Sequence, residues 1–237
     1  NKKGEFISYL KEKPCTIVTF IKGNWVKNIK NIHCQQLGIN LSELHSLTKN
    51  FNLSRKNNIG HKSWKNLFNN FKSKQTNIYT DVYKIIEDEI EFLTIKWPKK
   101  LPSGIIHADL FQDNVFFEND QFTGMIDFYF ACNDFYAYEL AVCLNAWCFE
   151  KDQSFNTTKA SLILNEYQKN RPLEEDEKKY FTILSRGAAI RFLLTRFNDL
   201  IFHSPENLVQ PKDPNEYLKI LYFHQKIKSI SEYGFID

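Results

Sequence analysis

With 237 residues, 43% of them hydrophobic and 15% aromatic, the chain can bury one large core or two small ones, which excludes general disorder. Its 31 basic and 28 acidic residues nearly cancel at +3, so the charge balance gives no case for a nucleic acid or another polyanion as partner. Five cysteines without a C-x-x-C pair exclude zinc-site spacing and a disulfide framework, and no apolar run reaches the ~20 residues of a membrane span. The composition therefore reads as intracellular, with cytoplasmic location, free thiols and no membrane partner.

The elements follow in chain order. "EFISYL" (Glu5 to Leu10) and "CTIVTF" (Cys15 to Phe20) read as strands about a charged turn, being rich in β-branched and aromatic residues. Gly23 breaks the pattern. From Asn31 to Thr48 the apolar residues Ile32, Leu37, Leu41, Leu44 and Leu47 recur at helical spacing, with His45 in the same stripe as a satisfied core histidine. Asn50 to Thr80 reads as a loop with a short helix anchored by Trp64, Phe68 and Phe71. Asp81 to Leu93 is helical, with Val82, Ile85, Ile86, Ile90 and Leu93 on one side. Pro98 and Pro102 bracket a linker into a strand, a loop and a hairpin whose turn is "ENDQ" (Glu118 to Gln121).

Helices are expected for the remainder. One covers Asp134 to Phe149; the next, Lys159 to Lys169, is capped by Thr157 or Thr158. Glu174 to Phe202 forms one helix or two. A last helix opens on Asp213 as cap, Pro214 at its first position and Glu216 completing a capping box.

The chemistry concentrates in "GIIHADLFQDNVFFENDQFTGMIDF" (Gly104 to Phe128), an apolar stretch that nevertheless carries His107, Asp109, Asp113, Asn114 and Asp127. Carboxylates in such surroundings need a partner or a metal. "HADLFQDN" fits H-x-D-x-x-x-x-N, and "GMIDF" follows across the hairpin. That is the layout of a phosphoryl-transfer site. A hydroxyl nucleophile needs a carboxylate to accept its proton, which suits Asp109, with His107 counted beside it as catalytic. A nucleoside triphosphate needs magnesium, a hard cation that takes oxygen ligands, and Asn114 and Asp127 supply two. Asp113 reads as a loop or capping residue.

This stretch, together with "GMIDFYFACNDFYAYELAVCLNAWCFE", "SRGAAIRFLLTRFNDLI" (Ser185 to Ile201) and "QPKDPNEYLKILYFHQ" (Gln210 to Gln225), resembles the bacterial homoserine kinases related to aminoglycoside phosphotransferases and choline kinases. The broad motif alone implies a small-molecule kinase; "IDFYFACNDF" and "NAWCFE" are similar to the homoserine branch. The resemblance implies an α+β, protein-kinase-like fold of the aminoglycoside phosphotransferase type. It has a mostly helical large lobe with catalytic β-hairpins and a remnant of a small β lobe. Residues 1–22 would be that remnant with the hinge, and residues 23–237 the catalytic lobe. It implies ATP-dependent phosphorylation of L-homoserine to O-phospho-L-homoserine, a step toward threonine, with ATP and Mg2+.

The hinge would be Thr19, Phe20 and Ile21, whose main chain would bond adenine. Arg191 or Arg196 would hold the substrate carboxylate. Asn133 and Asp134 would accept its ammonium. Glu139 stands where the broader family has Asp, and a helix-packing role suits it better than a ligand role. The family's glycine-containing phosphate cover and strand lysine have no counterpart here, so a chain short of most of its first lobe, and inactive by itself, is expected. The alternatives are a kinase of another small alcohol, of choline or aminoglycoside type, and a non-catalytic binding module.

Overall fold

The computed structural model describes residues 4–74, 79–204, 206 and 210–237. Three small antiparallel pairs of strands and seven helices make up the regular structure of these residues. The first pair is β1 (Ser8–Leu10) with β2 (Lys13–Cys15), in register Ser8 to Cys15 and Leu10 to Lys13. The expected second strand, Cys15 to Phe20, is therefore displaced toward the N-terminus. The reason is the turn: Lys11 and Glu12 both take positive φ, 47° and 65°, and a two-residue turn of that kind pairs the residues immediately beside it. Thr16 to Phe20 are left without a strand partner, with Ile17 and Val18 facing solvent.

α1 (Asn31–Leu47) forms as expected and buries Leu37 and Leu41 of its stripe, with Leu44 partly buried, but Ile32 and Leu47 at its two ends are exposed. A turn of 310 helix leads into α2 (Trp64–Lys72), where Trp64, Phe68 and Phe71 are the expected buried anchors. α3 (Thr80–Lys96) buries Ile86, Ile90 and Leu93. β3 (Ser103–Ile106) follows, then the hairpin β4 (Val115–Glu118) and β5 (Gln121–Met125). Its turn residues Asn119 and Asp120 have φ of 52° and 62°, as a tight two-residue hairpin requires.

β6 (Cys132–Phe135) was not expected. It pairs antiparallel with β3, Ile106 opposite Cys132 and Ser103 opposite Phe135, so the following helix begins two residues later than its sequence suggests. That helix, α4 (Tyr136–Trp147), is buried along its whole length, as a helix apolar on all sides must be. It is the axis of the core. α5 (Thr157–Asn170) packs on α4 and α1, while α6 (Glu175–Ile201) packs on α4 and on α7 (Pro214–Lys226).

Three helix starts differ in detail from the expectation or settle it. α5 is capped by Asn156, whose Oδ1 accepts from the Lys159 N–H at 3.0 Å, and not by Thr157 or Thr158. α6 is one continuous helix of 27 residues. α7 has Asp213 as cap, accepting from the Asn215 N–H at 2.9 Å, with Pro214 at its first position. Glu216 does not close a capping box, because its carboxylate goes to Arg196 at 2.5 Å. All five cysteines are free thiols and four are buried. Among the described residues no helix is long and apolar enough to cross a membrane.

Candidate active site

The segment from β3 to α4 is threaded so that two loops meet. β3 delivers His107 to Asn114; the hairpin then turns the chain back, and β5 delivers Asp127 beside them. Both loops leave ordinary backbone space. Ala108 has φ 65°, and Asp127 is left-handed at φ 61°, ψ 54°. Non-glycine residues sit there only when the surroundings hold them.

The surroundings are visible. The Ile126 N–H donates to the Asn114 carbonyl at 3.0 Å, tying one loop to the other. His107 is fully buried, lies between Ile126 O (Nε2, 2.8 Å) and the Asp109 N–H (Nδ1, 3.3 Å), and so bridges the two loops. In this bonding Nε2 donates to the Ile126 carbonyl and Nδ1 accepts from the Asp109 N–H. His107 does not line the cavity described below; its hydrogen bonds hold the two loops together. Asn114 donates its Nδ2 to the Asp109 carbonyl at 2.8 Å, which leaves its amide oxygen free. From below, Trp147 Nε1 donates to Leu110 O at 2.9 Å and Gln112 Nε2 to Ala146 O at 2.6 Å.

Glu139 does more than pack its helix. It is fully buried at the start of α4 and accepts the His107 N–H at 2.5 Å, the Ala108 N–H at 2.7 Å and His45 Nε2 at 3.3 Å. Burial alone would push its carboxyl up, but the donors from His45 and His107 outweigh this and hold it below the ordinary glutamate range. Burial pushes His45 down, so it is the neutral imidazole, with Nδ1 accepting from the Tyr167 hydroxyl at 2.7 Å. His45 is thus the satisfied core histidine its position suggested. The far end of the hairpin is also fixed: Asp120 meets Lys30 at 2.7 Å and buried His33 at 2.9 Å, and its carbonyl accepts from Gln36 at 2.6 Å.

A cleft of about 860 Å³ opens over these loops. Its wall brings together Asp109, Asn114 and Asp127 with Arg191 and Arg196 of α6. Asp109 is partly exposed, and its Oδ1 lies 3.2 Å from Arg191 Nη1. Burial pushes the Asp109 carboxyl above the usual aspartate range, although Arg191 and His107 pull the other way. Asp127 has no hydrogen bond or ion pair to another described residue. Arg191 is nearly buried and stacked on Phe192 at 3.7 Å, with Phe130 at 5.4 Å. Arg196 is bonded to Glu216 and to the Asp213 carbonyl at 2.8 Å. Phe111, Phe192, Thr195, Asp199 and Lys212 also line the cleft and were not singled out from the sequence. For Thr195 and Asp199 a signal was there in α6, where 191, 195 and 199 recur one turn apart on one face.

Asn133 and Asp134 are not brought to the cleft. Asn133 Oδ1 accepts from the Arg55 N–H at 2.8 Å and Asp134 from Asn57 Nδ2 at 2.7 Å, so they fasten the 55–57 segment to β6. Thr19, Phe20 and Ile21 do not line this cleft. Ile21 lies over Gly124, and Thr123 Oγ1 donates to Lys22 O at 2.6 Å. The main-chain groups of 19–21 make no hydrogen bond to other described residues.

A kinase-like fold with two aspartate carboxylates, an amide oxygen and two arginines on one cleft is that of a small-molecule phosphotransferase. Comparison with known proteins agrees with that class. Residues 3–173 match the phosphotransferase enzyme family. Among solved structures the chain is similar to an ethanolamine kinase of Plasmodium vivax, with TM-score 0.64, 16% identity and 92% of this chain and 66% of that one covered. It is likewise similar to a choline kinase of Cryptosporidium parvum, with TM-score 0.65, 16% identity and coverage of 93% and 72%. At these identities the likeness is one of fold. Curated relatives are much nearer in sequence. A homoserine kinase of Parvibaculum lavamentivorans is 48% identical over 99% of this chain and 73% of its own length. One of Bartonella henselae is 47% identical over 98% and 73%. The chain belongs to the homoserine kinases of the phosphotransferase enzyme family.

Proposed function

We propose that this site transfers the γ-phosphate of ATP to the hydroxyl of L-homoserine, giving O-phospho-L-homoserine and ADP in the cytoplasm. The observation that carries the reading is the single cleft on which Asp109, Asn114, Asp127 and Arg191 converge. Asp109 takes the hydroxyl proton as the substrate oxygen forms its bond to phosphorus and the bond to the ADP oxygen breaks. Arg191 holds the substrate carboxylate. Arg196 is the weaker candidate, because Glu216 already neutralises it. Thr19, Phe20 and Ile21 offer unpaired main-chain groups to adenine, and residues 1–22 belong to the smaller β lobe and hinge.

The donors suit magnesium. Asn114 has a free amide oxygen and Asp127 an unpaired carboxylate, both on the same wall. Among the described residues no group of three or more His, Cys, Asp or Glu could hold a metal ion, so an ion on Asn114 and Asp127 would take the rest of its shell from waters and phosphate oxygens. Bound there, magnesium would offset the charge of the phosphates.

An ADP-release assay on the full-length protein with L-homoserine, choline and kanamycin tests the reading. Turnover with L-homoserine and very little with the other two is expected. A preference for choline or kanamycin would overturn the substrate assignment and leave the fold standing.

A further inference from the structure

A phosphoryl group in transfer spreads negative charge over its equatorial oxygens, and a site speeds the step by placing cations around them. The loop that bears Asp109 and Asn114 brings no such cation, since "HADLFQDN" contains neither lysine nor arginine. Among the described residues, the lysines and arginines that line the cleft are Arg191, Arg196 and Lys212. Two of them are engaged. Arg191 Nη1 lies on Asp109 Oδ1 at 3.2 Å, and Arg196 is held by Glu216 and by the Asp213 carbonyl at 2.8 Å. Lys212 is exposed to the cleft, and its ammonium has no hydrogen bond or ion pair to another described residue.

The place of Lys212 is set by its neighbours. Asp213 is held through its carbonyl by Arg196 and caps α7 through its side chain, which accepts from the Asn215 N–H at 2.9 Å. Pro211 and Pro214 restrict the backbone on either side. The ammonium then stands over the Phe111 ring, 5.5 Å from its centre. A lysine laid on an aromatic face has its head directed rather than free. Phe111 belongs to the loop of the base: its N–H donates to the Asp109 carbonyl at 2.8 Å. Its ring meets Phe192 edge to face at 4.8 Å, and Arg191 stacks on Phe192 at 3.7 Å. One aromatic pair therefore carries two cations, one bound to Asp109 and one unpaired.

We propose that Lys212 is a further catalytic residue, whose ammonium binds a non-bridging oxygen of the γ-phosphoryl group during its transfer. This rests on the homoserine kinase reading above. The two cations divide the work by their chemistry. The planar fork of Arg191 suits a carboxylate, and the compact charge of a lysine suits a phosphoryl oxygen. No proton moves to or from Lys212. As the bond to the ADP oxygen breaks and that to the substrate oxygen forms, Lys212 meets the charge on one oxygen, while magnesium on Asn114 and Asp127 would offset charge on others. Such an interaction is strongest in the transition state, so its loss falls on kcat.

The test compares the full-length protein with its Lys212→Met variant in two ways. Turnover of L-homoserine gives kcat and KM. Calorimetry measures the binding of MgADP with and without aluminium fluoride, which with MgADP mimics the phosphoryl group in transfer. In the variant kcat falls by about 10²-fold, the scale of one preorganised donor, while KM for L-homoserine stays within about threefold. MgADP alone binds both proteins alike, and the tightening that fluoride gives the parent is lost by a similar factor. A variant kcat within about threefold of the parent marks a solvated surface lysine and overturns the inference. A raised KM with unchanged kcat marks a second clamp on the substrate carboxylate and overturns it too. So does fluoride that tightens MgADP equally in both proteins, or in neither. Absence of turnover by the parent with L-homoserine is a separate result, and it overturns the functional reading beneath.

Discussion

Replacing Glu139 by Gln keeps the shape of the side chain and removes its charge. In the native site Glu139 Oε2 accepts the His107 N–H and His45, while Oε1 accepts the Ala108 N–H. A glutamine amide has one acceptor oxygen. If its NH2 takes the Oε2 position, the His107 N–H faces a donor; if it takes the Oε1 position, the Ala108 N–H does. His45 can adapt by changing tautomer, because the Tyr167 hydroxyl both donates and accepts. A backbone N–H cannot. One charge-assisted bond is lost, a fully buried donor is orphaned, and the surviving bond becomes neutral, for a total of about 2–4 kcal/mol. A domain with a typical reserve of about 5–15 kcal/mol remains folded. The group released is the N–H of His107 or of Ala108 (φ 65°), two or one residues before Asp109, so kcat/KM should fall by about 10²-fold as the base loses its placement. Glu139→Asp keeps the charge but is one methylene short, and should lie between. Urea unfolding at pH 7 and ADP release from L-homoserine measure the two effects. A Gln variant within about 0.5 kcal/mol of the parent, with unchanged kcat/KM, would refute the clamp.

Asp127→Asn should abolish most activity by weakening magnesium, and Asn114→Asp, which keeps an oxygen ligand, should do less harm; titration of Mg-ATP into both checks this, and an unchanged metal dependence in Asp127→Asn would remove the residue from the site. His224 is buried between Asn145 Oδ1 at 2.6 Å and the Tyr233 hydroxyl at 2.8 Å, and burial, with Arg186 adding to it, pushes it down to about 3. The unfolded histidine takes up its proton near 6.5, so stability present above that pH is lost as pH falls toward 3, by about 2 kcal/mol between pH 7 and 5. His224→Gln should remove that part of the slope, and equal slopes in urea unfolding at the two pH values would contradict it. Gly38→Ala should destabilise the protein despite the better helix propensity of alanine, because a Cβ there would run into the Ile163 carbonyl of α5. A raised unfolding midpoint would show that α1 and α5 can part.

Much of this was readable from residue order, for identifiable reasons. α1 and α3 carry apolar residues at helical spacing, α7 opens on the cap Asp213 with Pro214 at its first position, and "ENDQ" names its own hairpin. The motif residues Asp109, Asn114 and Asp127 lie on one cleft because the hairpin that separates them in sequence closes the distance in space. What could not be read depended on partners far along the chain. β6 has no pattern of its own and exists because β3 lies beside it. Asn133 and Asp134 follow the motif closely but point to the 55–57 segment, which has no periodicity to announce a contact. The task of Glu139 depends on His45 and on two backbone N–H groups brought from 31 and 32 residues away. Glu216 matched a capping box locally, and a cation on the neighbouring helix claimed it.

The most direct measurement is 31P NMR of the product formed by the full-length protein from Mg-ATP and L-homoserine, alongside its Asp109→Asn variant. The parent should yield O-phospho-L-homoserine and ADP in equal amounts. The variant should do so about 10²–10⁴-fold more slowly while still binding ATP. Phosphohomoserine formed at the parental rate without the Asp109 carboxylate, or ATP cleaved with no phosphohomoserine at all, would contradict the account.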